Sequence, residues 1–208
     1  MQPAPPDREV WGLTGKYCAG KNQAAEFLQR AGCLVIDVDK LGHRVLEESR
    51  EALAARFGPA VIDSSGGVNR RALSGMVFGN PGALKDLEAI VHPGAIELTR
   101  RIIQENPDQT AVINAALLFT SDLHRQCRRV IWIDAPLFIR IGRALRRDRL
   151  GLGGVFLRIL AQKKLTLKKW KKSADIYVIA NSRKPADLEK QLRAFLDRFG
   201  DRKGTTSG

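Results

Sequence analysis

The chain has 208 residues, of which 44% are hydrophobic and 27% charged, so it can bury a core of normal size and global disorder is excluded. Its formal net charge of +13 creates a field that attracts polyanions. The charge alone leaves three explanations open: binding of nucleic acid, binding of phosphate-rich substrates, or a basic surface without a specific partner.

The cysteines and the apolar runs indicate the cellular compartment in which the protein is expected. Cys18, Cys33 and Cys127 are an odd number, widely spaced and without a CxxC pair, which predicts neither a disulfide framework nor a zinc site. No apolar run approaches the roughly 18 residues that span a bilayer. The opening MQPAPPDRE is polar and proline-rich, unlike a signal peptide. We therefore expect a cytoplasmic protein with no membrane contact and a frayed N-terminus.

Five short apolar runs rich in valine and isoleucine recur without helical period, and they predict buried strands of a largely parallel sheet. The runs are EVWGLTG (9–15), CLVIDVD (33–39), TAVINAALLF (110–119), RVIWIDA (129–135) and DIYVIAN (175–181). Amphipathic stretches at 20–32 and 185–200 predict helices, because their apolar residues recur at helical spacing and each stretch ends at a glycine. Strands that alternate with helices predict a doubly wound α/β fold with a five-stranded parallel sheet.

We expect the whole chain, 1–208, to form a single domain. Two of its segments are longer than the connections that a five-stranded sheet of this kind requires. The predicted core comprises residues 9–40, 109–142 and 174–200. Residues 41–108 are too many for one crossover helix and predict an inserted helical subdomain. Residues 143–173 are strongly basic with a glycine-rich break, which predicts a mobile lid. The tail DRKGTTSG is predicted to be disordered.

The first predicted strand runs into GKYCAGKN, residues 15–22, and the first predicted helix follows directly. Gly15, Gly20 and Lys21 have the G-x-x-x-x-G-K spacing of a phosphate-binding loop in the strand-loop-helix context that it requires. Backbone N–H groups of such a loop form an anion nest, the helix N-terminus adds its positive end, and the lysine reaches the outer phosphates. Asn22 replaces the usual magnesium-ligating hydroxyl residue. Its amide oxygen is hard enough to bind Mg²⁺, or the ion is held mostly through water and phosphate oxygens.

Two carboxylates, Asp37 and Asp39, are predicted at the carboxyl end of the second strand, where ligands of open α/β sheets bind. Residues i and i+2 of a strand share a face, so both side chains can reach one cleft, unless they diverge where the chain leaves the strand. In phosphoryl transfer to a hydroxyl, a carboxylate orients the acceptor and takes its proton. The alternative is that Asp39 only caps the following helix.

A set of motifs follows in order along the chain: GLTG (12–15) with AGK (19–21), VIDVDKLGH (35–43), DLEAIVHPGAI (86–96), ALLF (116–119) and SADIYVIAN (173–181). Together they resemble the dephospho-coenzyme A kinase family over residues 9 to about 195. The resemblance implies a P-loop core, a helical substrate domain and a lid. It also implies transfer of the γ-phosphoryl group of ATP to the ribose 3′-hydroxyl of dephospho-coenzyme A, which gives coenzyme A.

The resemblance implies roles for single residues as well. Its nucleotide-binding positions are Gly15, Cys18, Ala19, Gly20, Lys21, Asn22, Gln23, Arg147 and Asn181. Asp39 matches the proposed base, Asp37 its companion acid and His92 the histidine of the substrate-domain motif. Asp39 and Lys21 are then the catalytic residues, Asn22 is the metal contact, and Asp37, Asp39 and His92 contact the substrate. Two alternatives stay open: His92 as a helix-capping or core histidine, and Asn181 as an ordinary turn residue.

Several positions depart from the family pattern. Besides Asn22, these are Ala116 and Thr120, where proline and glutamate are usual, and Gly151 with Leu152, where a lid Thr-Arg is common. Lysines of the lid can supply charge there, but only as point contacts. The alternatives are therefore another P-loop nucleoside or nucleotide kinase, a catalytically impaired nucleotide-binding relative, or a nucleic-acid-binding relative. Nucleic acid is not favoured, because it explains only the charge and the lysines around Trp170. The oligomeric state stays open.

Overall fold

The structure, a computed structural model, describes residues 9–121, 123–148, 170, 175–182 and 184–200. Within them, five strands form one sheet in the order β2-β3-β1-β4-β5. The strands are β1 (Val10–Gly15), β2 (Leu34–Asp37), β3 (Ala111–Asn114), β4 (Arg129–Asp134) and β5 (Asp175–Ala180). Strand β1 pairs in parallel with β3 and β4, and β4 pairs in parallel with β5. Each strand lies within one predicted run, so the predicted α/β class with a five-stranded parallel sheet is confirmed.

The helices of the described residues fall between the strands and in one longer excursion. They are α1 (Lys21–Arg30), α2 (Val38–Glu48), α3 (Arg50–Phe57), α4 (Arg70–Val77), α5 (Pro81–Glu105), α6 (Leu137–Asp148) and α7 (Pro185–Phe199), with short 3₁₀ helices at Pro59–Val61 and Leu123–Gln126. Helices α1 and α7 match the two amphipathic stretches. Helix α7 begins with Pro185, whose missing N–H would have had no intrahelical partner there.

Strand β1 is buried along its whole length, which explains why its sequence is a continuous apolar run. Trp11 and Leu13 of β1 belong to a cluster with Leu28 of α1 and Leu192 and Phe195 of α7, and all five side chains are at most 6% exposed. The ring of Trp11 meets that of Phe195 edge to face, with centroids 4.9 Å apart. Ala19, in the segment that joins β1 to α1, belongs to the same cluster.

Two strands are shorter than predicted. The predicted strand 33–39 ends at Asp37, whose carboxylate accepts a hydrogen bond from the Lys40 N–H (3.2 Å) and thereby caps α2. The predicted strand 110–119 ends at Asn114, after which the chain turns and the Thr120 N–H donates to the Leu117 carbonyl (3.0 Å). Leu118 and Phe119 are buried by tertiary packing and not by strand pairing, and an apolar run by itself does not distinguish these two causes.

The chain divides into two compact units, Met1–Ile36 with Asn106–Gly208 and Asp37–Glu105. The second unit covers most of the predicted insertion, residues 41–108, and consists of α2 to α5. It has its own small core of Leu53, Val61, Val68 and Leu73. Gly94 of α5 allows close packing against α2, because a Cβ at this position would lie 2.7 Å from a methyl group of Val45.

Most of the predicted lid, 143–173, lies outside the described residues, as do both chain ends. Of the lid, the structure describes the end of α6 and Trp170. The Trp170 ring stacks on Phe119 with centroids 4.9 Å apart and an interplanar angle of 11°. In the described part of the chain, no helix has the length and apolar character needed to cross a membrane.

A charged cluster fastens the start of β1 to β4. The Glu9 carboxylate accepts hydrogen bonds from Trp11 Nε1 (2.8 Å) and from the Arg129 guanidinium (2.5 Å), and it also pairs with Arg128 at 3.3 Å. Burial raises the pKa of the Glu9 carboxyl, but the hydrogen bonds of Arg129 and Trp11 and the two positive charges outweigh it and leave the pKa below 4.5. The ionised form of Glu9 is therefore favoured in the folded protein.

Glu9→Gln is expected to lower the free energy of unfolding at pH 7 by about 1–3 kcal/mol, because it leaves two arginines without their carboxylate. A lowered pKa in the folded state gives stability that is complete above the pKa of the unfolded state and is lost as the pH falls through the folded pKa. The difference between wild type and variant should therefore shrink below pH 4.5. Urea unfolding of both proteins at several pH values measures this difference in the free energy of unfolding. A difference that stays constant with pH would contradict the assigned role of the ionised Glu9 carboxylate.

Candidate functional site

The segment between β1 and α1 has the predicted strand-loop-helix context, since β1 ends at Gly15 and α1 begins at Lys21. Gly15 lies so close to β4 that a Cβ there would be 2.4 Å from the Ile133 carbonyl oxygen. The Ala19 N–H donates to the Lys16 carbonyl (3.0 Å), which closes a tight turn, and Cys18 within it has a φ of +57°. A non-glycine residue in this left-handed region is uncommon and is found at functional loops.

Helix α1 begins without a side-chain cap, and its first turn contains no acidic residue. Its N-cap, Gly20, has a φ of +103°, which favours glycine. The uncapped N-terminus of a helix carries partial positive charge and N–H donors, and it is a common site for phosphate. Helix α2 is the opposite case, because Asp37 caps it and Asp39 lies in its first turn.

The ammonium group of Lys21 is held at the end of the loop. Its Nζ donates a 2.7 Å hydrogen bond to Oδ1 of Asn114, the last residue of β3. Asn114 is only 3% exposed. Since β3 pairs directly with β1, with Asn114 in register with Leu13, the sheet itself sets the position of this amide.

Asn181, directly after β5, supports the loop from another side. Its Nδ2 donates to the Ala19 carbonyl (2.9 Å) and to Oε1 of Gln23 (3.2 Å), and its own N–H donates to the Asp134 carbonyl (2.7 Å). Arg143 of α6 donates to the same Ala19 carbonyl (3.2 Å) and to Oδ1 of Asn181 (3.4 Å). Asn181 is 2% exposed and is therefore a buried brace of the loop, which excludes the alternative of an ordinary turn residue.

Gly20→Ala is expected to lower the free energy of unfolding by about 2–4 kcal/mol and to abolish tight ATP binding. The positive φ contributes about 1–2 kcal/mol and a clash the remainder, because a Cβ would lie 2.0 Å from Nδ2 of Asn181. Gly32→Ala is the matched control, since Gly32 has a similar φ of +92° and no atom within 4 Å of its Cβ position. Thermal melting and ATP titration should show a small loss of stability and normal ATP binding for Gly32→Ala. Equal effects of the two substitutions on both measurements would rule out the Asn181 contact as the cause.

Two more basic residues lie at the loop. Lys16 pairs with the carboxylate of Asp134, at the end of β4, with a closest contact of 3.1 Å. The guanidinium of Arg140, which is 7% exposed, donates to the Tyr17 carbonyl (3.5 Å), and its Nε has no hydrogen-bond partner among the described residues. The loop is thus supported by side chains from the ends of β3, β4 and β5 and from α6.

The predicted substrate residues lie in the second unit. Asp37 is the N-cap of α2 and Asp39 is an exposed residue of its first turn, so the predicted strand 33–39 is too long, and the chain has left the strand before Asp39, the case in which the two side chains diverge. The proposed capping role belongs to Asp37 and not to Asp39. His92 lies inside α5, directly before Pro93, and is half-buried, which excludes a capping role for it.

Other predicted positions are described only in part. Arg147 lies near the end of α6, but its side chain is outside the described residues, and so are Gly151 and Leu152. Ala116 and Thr120 lie in the turn that follows β3, where the Thr120 hydroxyl donates to the Leu117 carbonyl (3.0 Å). A cavity of about 600 Å³ lined by Trp11, Cys33 and Leu196, among others, contains none of the predicted site residues.

Sequence reasoning missed Asn114, Asp134, Arg140 and Arg143. Asn114 and Asp134 are each the last residue of a strand, and a polar residue that ends an apolar run next to the loop-bearing strand is a usable signal. For Asn114 this signal is hidden, because apolar residues continue after it in TAVINAALLF and the pattern predicts one continuous strand. Arg140 and Arg143 are three residues apart and share a helix face, but nothing in the sequence says that this face meets the loop.

The described residues contain no group of three or more histidine, cysteine, aspartate or glutamate side chains that could hold a metal ion. Asn22, in the first turn of α1, is exposed, and its amide oxygen is the type of hard ligand that Mg²⁺ accepts. The donor set therefore fits a metal ion that is bound mainly by phosphate oxygens and water.

The fold is shared with a known kinase. A shikimate kinase from Acinetobacter baumannii superimposes with a TM-score of 0.53 at 15% identity, covering 92% of this chain and 95% of that one. At this identity the superposition shows the α/β fold alone, and in this chain the first loop of that fold carries a lysine at the N-terminus of a helix.

The family follows from longer matches. A family model described as dephospho-CoA kinase matches residues 9–187. A Bacillus licheniformis dephospho-CoA kinase is 33% identical over 201 residues, covering 92% of this chain and 97% of the relative. The crystal structure of TT1252 from Thermus thermophilus superimposes with a TM-score of 0.75 at 32% identity, and the match covers 92% of this chain and 97% of that one. The chain belongs to the dephospho-CoA kinase family, which carries out the last step of coenzyme A biosynthesis.

Proposed function

We propose that this chain transfers the γ-phosphoryl group of ATP to the ribose 3′-hydroxyl of dephospho-coenzyme A. The observation that carries the proposal is the loop before α1, where Lys21 is already held by Asn114 at 2.7 Å at an uncapped helix N-terminus. Both substrates contain pyrophosphate groups, which accounts for the basic character of the chain.

The nucleotide is bound by the loop. Its contacts are Gly15, Cys18, Ala19, Gly20, Lys21, Asn22 and Gln23, with Lys21 at the β- and γ-phosphates. Asn181 acts on the nucleotide through the loop, because its amide is bonded to Ala19 and Gln23. Arg147, which the family motif assigns to the lid, contributes positive charge. Preformed donors of this kind stabilise the charge of the transition state without reorganisation.

The acceptor is bound by residues of the second unit. Asp39 orients the 3′-hydroxyl and takes its proton as the γ-phosphoryl group is transferred, and the bond between the γ-phosphorus and the β-γ bridging oxygen breaks to release ADP. Support for Asp39 comes from the VIDVD motif and from its exposed carboxylate in the first turn of α2. Asp37 and His92 contact dephospho-coenzyme A, although one oxygen of Asp37 also caps α2.

A divalent metal ion is generally required by kinases, and we assign Mg²⁺ to this one. When bound, it neutralises charge on the β- and γ-phosphates. Asn22 or its water is the protein contact, since the amide of Asn22 is exposed in the first turn of α1.

The domain roles follow the predicted boundaries. The core, residues 9–40, 109–142 and 174–200, binds ATP, the insertion, 41–108, binds dephospho-coenzyme A, and residues 143–173 form a lid that excludes water. Residues 143–173 contain eleven basic residues and one acidic residue, so their net charge is +10, whereas that of the whole chain is +13. We place the reaction in the cytoplasm, where ATP is available, and no nucleic acid or membrane is part of it.

The test is direct. Purified protein with Mg²⁺, ATP and dephospho-coenzyme A should yield ADP and coenzyme A in equal amounts, as measured by liquid chromatography and mass spectrometry. Adenosine, shikimate and nucleoside monophosphates are the comparison acceptors. Phosphorylation of one of these in preference to dephospho-coenzyme A would assign a different kinase activity, and ATP binding without any product would indicate an impaired enzyme.

A further inference from the structure

Arg140, in α6, is a buried arginine that contacts the loop between β1 and α1. It is 7% exposed, and its guanidinium donates a 3.5 Å hydrogen bond to the Tyr17 carbonyl. Among the residues that the structure describes, no acceptor bonds its Nε and no carboxylate forms an ion pair with it. An arginine cannot lose its charge in a protein, and a buried one is usually paired. Arg140 therefore places an uncompensated positive charge beside the loop.

The sequence around Arg140 supplies no spare carboxylate for it. Asp134 lies six residues earlier, but it pairs with Lys16 at 3.1 Å and also accepts a hydrogen bond from the N–H of the next residue (2.9 Å). Asp148 lies eight residues later in α6, which is about 12 Å along the helix axis. Residues 149–174 include eight basic residues and no acidic one. A counter-charge for Arg140 is therefore expected from a bound anion.

The guanidinium of Arg140 lies on the carbonyl side of the loop. Arg140 donates to the Tyr17 carbonyl, just as Arg143 and Asn181 donate to the Ala19 carbonyl. In a trans peptide unit the C=O and N–H bonds point in opposite directions, so the N–H groups of an anion nest face away from side chains that bond its carbonyls. The loop backbone then separates Arg140 from a phosphate in the nest. Its charge acts across this backbone without direct contact.

We propose that Arg140 sets the affinity of the loop for a triphosphate through its charge, which attracts the phosphates from behind the loop backbone. The proposal rests on the proposed function, since it assumes that the loop binds ATP, and it adds a residue that none of the sequence motifs includes. A buried charge is screened less by salt than an exposed one, so it acts over a longer distance. Burial of an unpaired charge lowers stability, and a bound polyanion offsets this loss.

The first test is Arg140→Met, which removes the charge and keeps an unbranched apolar side chain. At an effective dielectric constant of about 20, two unit charges about 7–10 Å apart change an equilibrium constant by about 15- to 60-fold. The Kd for ATP should therefore rise by about that factor, as measured by calorimetric titration. The Kd for ADP should rise less, because ADP carries one negative charge fewer. A Kd for ATP within about twofold of wild type would overturn the proposal.

Arg193→Met is the matched control for the loss of one arginine. Arg193 is an exposed residue of α7, so salt and water screen its charge. The Kd of this variant for ATP should stay within about twofold of wild type. Equal weakening of ATP binding by Arg140→Met and Arg193→Met would show that only the net charge matters, and it would contradict a specific role of Arg140.

Arg140→Lys separates the charge from support of the fold, because it keeps the charge and loses the planar guanidinium. It should bind ATP within about threefold of wild type. Without nucleotide, Arg140→Met should melt at or above the wild-type temperature, since an apolar side chain in place of a buried charge is often neutral or stabilising. Equal losses of ATP affinity in both variants, with a lower melting temperature for Arg140→Met, would show that Arg140 only supports the fold.

Failure of this inference is distinguishable from failure of the proposed function. A wild-type protein that binds no ATP would contradict the proposed function itself. If wild type and Arg140→Met bind ATP equally tightly, the proposed function stands and only the role of Arg140 is overturned.

Discussion

Asp39→Asn is expected to lower kcat for phosphorylation of dephospho-coenzyme A by about 10²- to 10⁴-fold, the usual contribution of a general base. Asparagine has nearly the same shape but cannot take the proton of the 3′-hydroxyl. ATP binding should change by less than about twofold, because Asp39 lies in α2 and is not part of the loop before α1. Steady-state kinetics and ATP titration measure the two quantities separately.

Glu48→Gln is the control for this substitution. Glu48 belongs to the same helix, is exposed, and pairs at 2.8 Å with Arg44 one turn earlier. Removal of such a surface pair costs about 0.3–0.5 kcal/mol at most, so the kinetics of this variant should equal those of wild type. If Asp39→Asn turned over as fast as Glu48→Gln, another group would have to be the base.

Lys21→Ala is expected to weaken both ATP binding and catalysis, with kcat/KM for ATP lower by about 10²- to 10³-fold. The ammonium group neutralises the β- and γ-phosphates in the ground state and in the transition state, so both quantities depend on it. The variant also leaves the buried Oδ1 of Asn114 without its 2.7 Å donor, and a small loss of stability should accompany the kinetic loss. Calorimetric titration with ATP and thermal melting check these expectations.

Lys190→Ala controls for the loss of one positive charge. Lys190 is an exposed residue of α7, away from the loop in sequence and in a helix that packs against α1 on its apolar face. A change of one in a net charge of +13 should alter ATP affinity by less than about twofold at physiological salt. Normal ATP affinity and rate in Lys21→Ala would mean that the loop does not bind the triphosphate.

The two substitutions give different patterns because they remove different functions. Loss of Asp39 affects the orientation and deprotonation of the acceptor but not the binding of ATP, while loss of Lys21 affects ATP binding and the transition state together. The ratio of the change in kcat to the change in Kd for ATP is therefore the informative quantity. Similar ratios for the two variants would argue against the division of roles proposed above.

Sequence patterns predicted the strands well where burial is complete on both faces. Strand β1 is buried along its whole length and β4 is buried from Val130 to Ile133, so each apolar run extends over nearly the same residues as its strand. The same pattern failed after Asn114, because Leu118 and Phe119 are buried in a turn. The spacing of apolar residues likewise does not mark the boundary between β2 and α2. Strand β2 ends at Asp37 because the carboxylate of Asp37 accepts a hydrogen bond from the Lys40 N–H and caps α2.

The sequence by itself determined the α/β class, the loop with Gly20 and Lys21, and the family, because all three depend on local spacing and on the order of motifs along the chain. Only the tertiary structure decided what holds the loop in place. Asn114 contacts Lys21 across 93 positions, Asp134 contacts Lys16 across 118, and Asn181 contacts Ala19 across 162. Contacts of this kind exist because the carboxyl ends of parallel strands meet at one edge of the sheet, and local sequence patterns do not encode which distant side chains meet there.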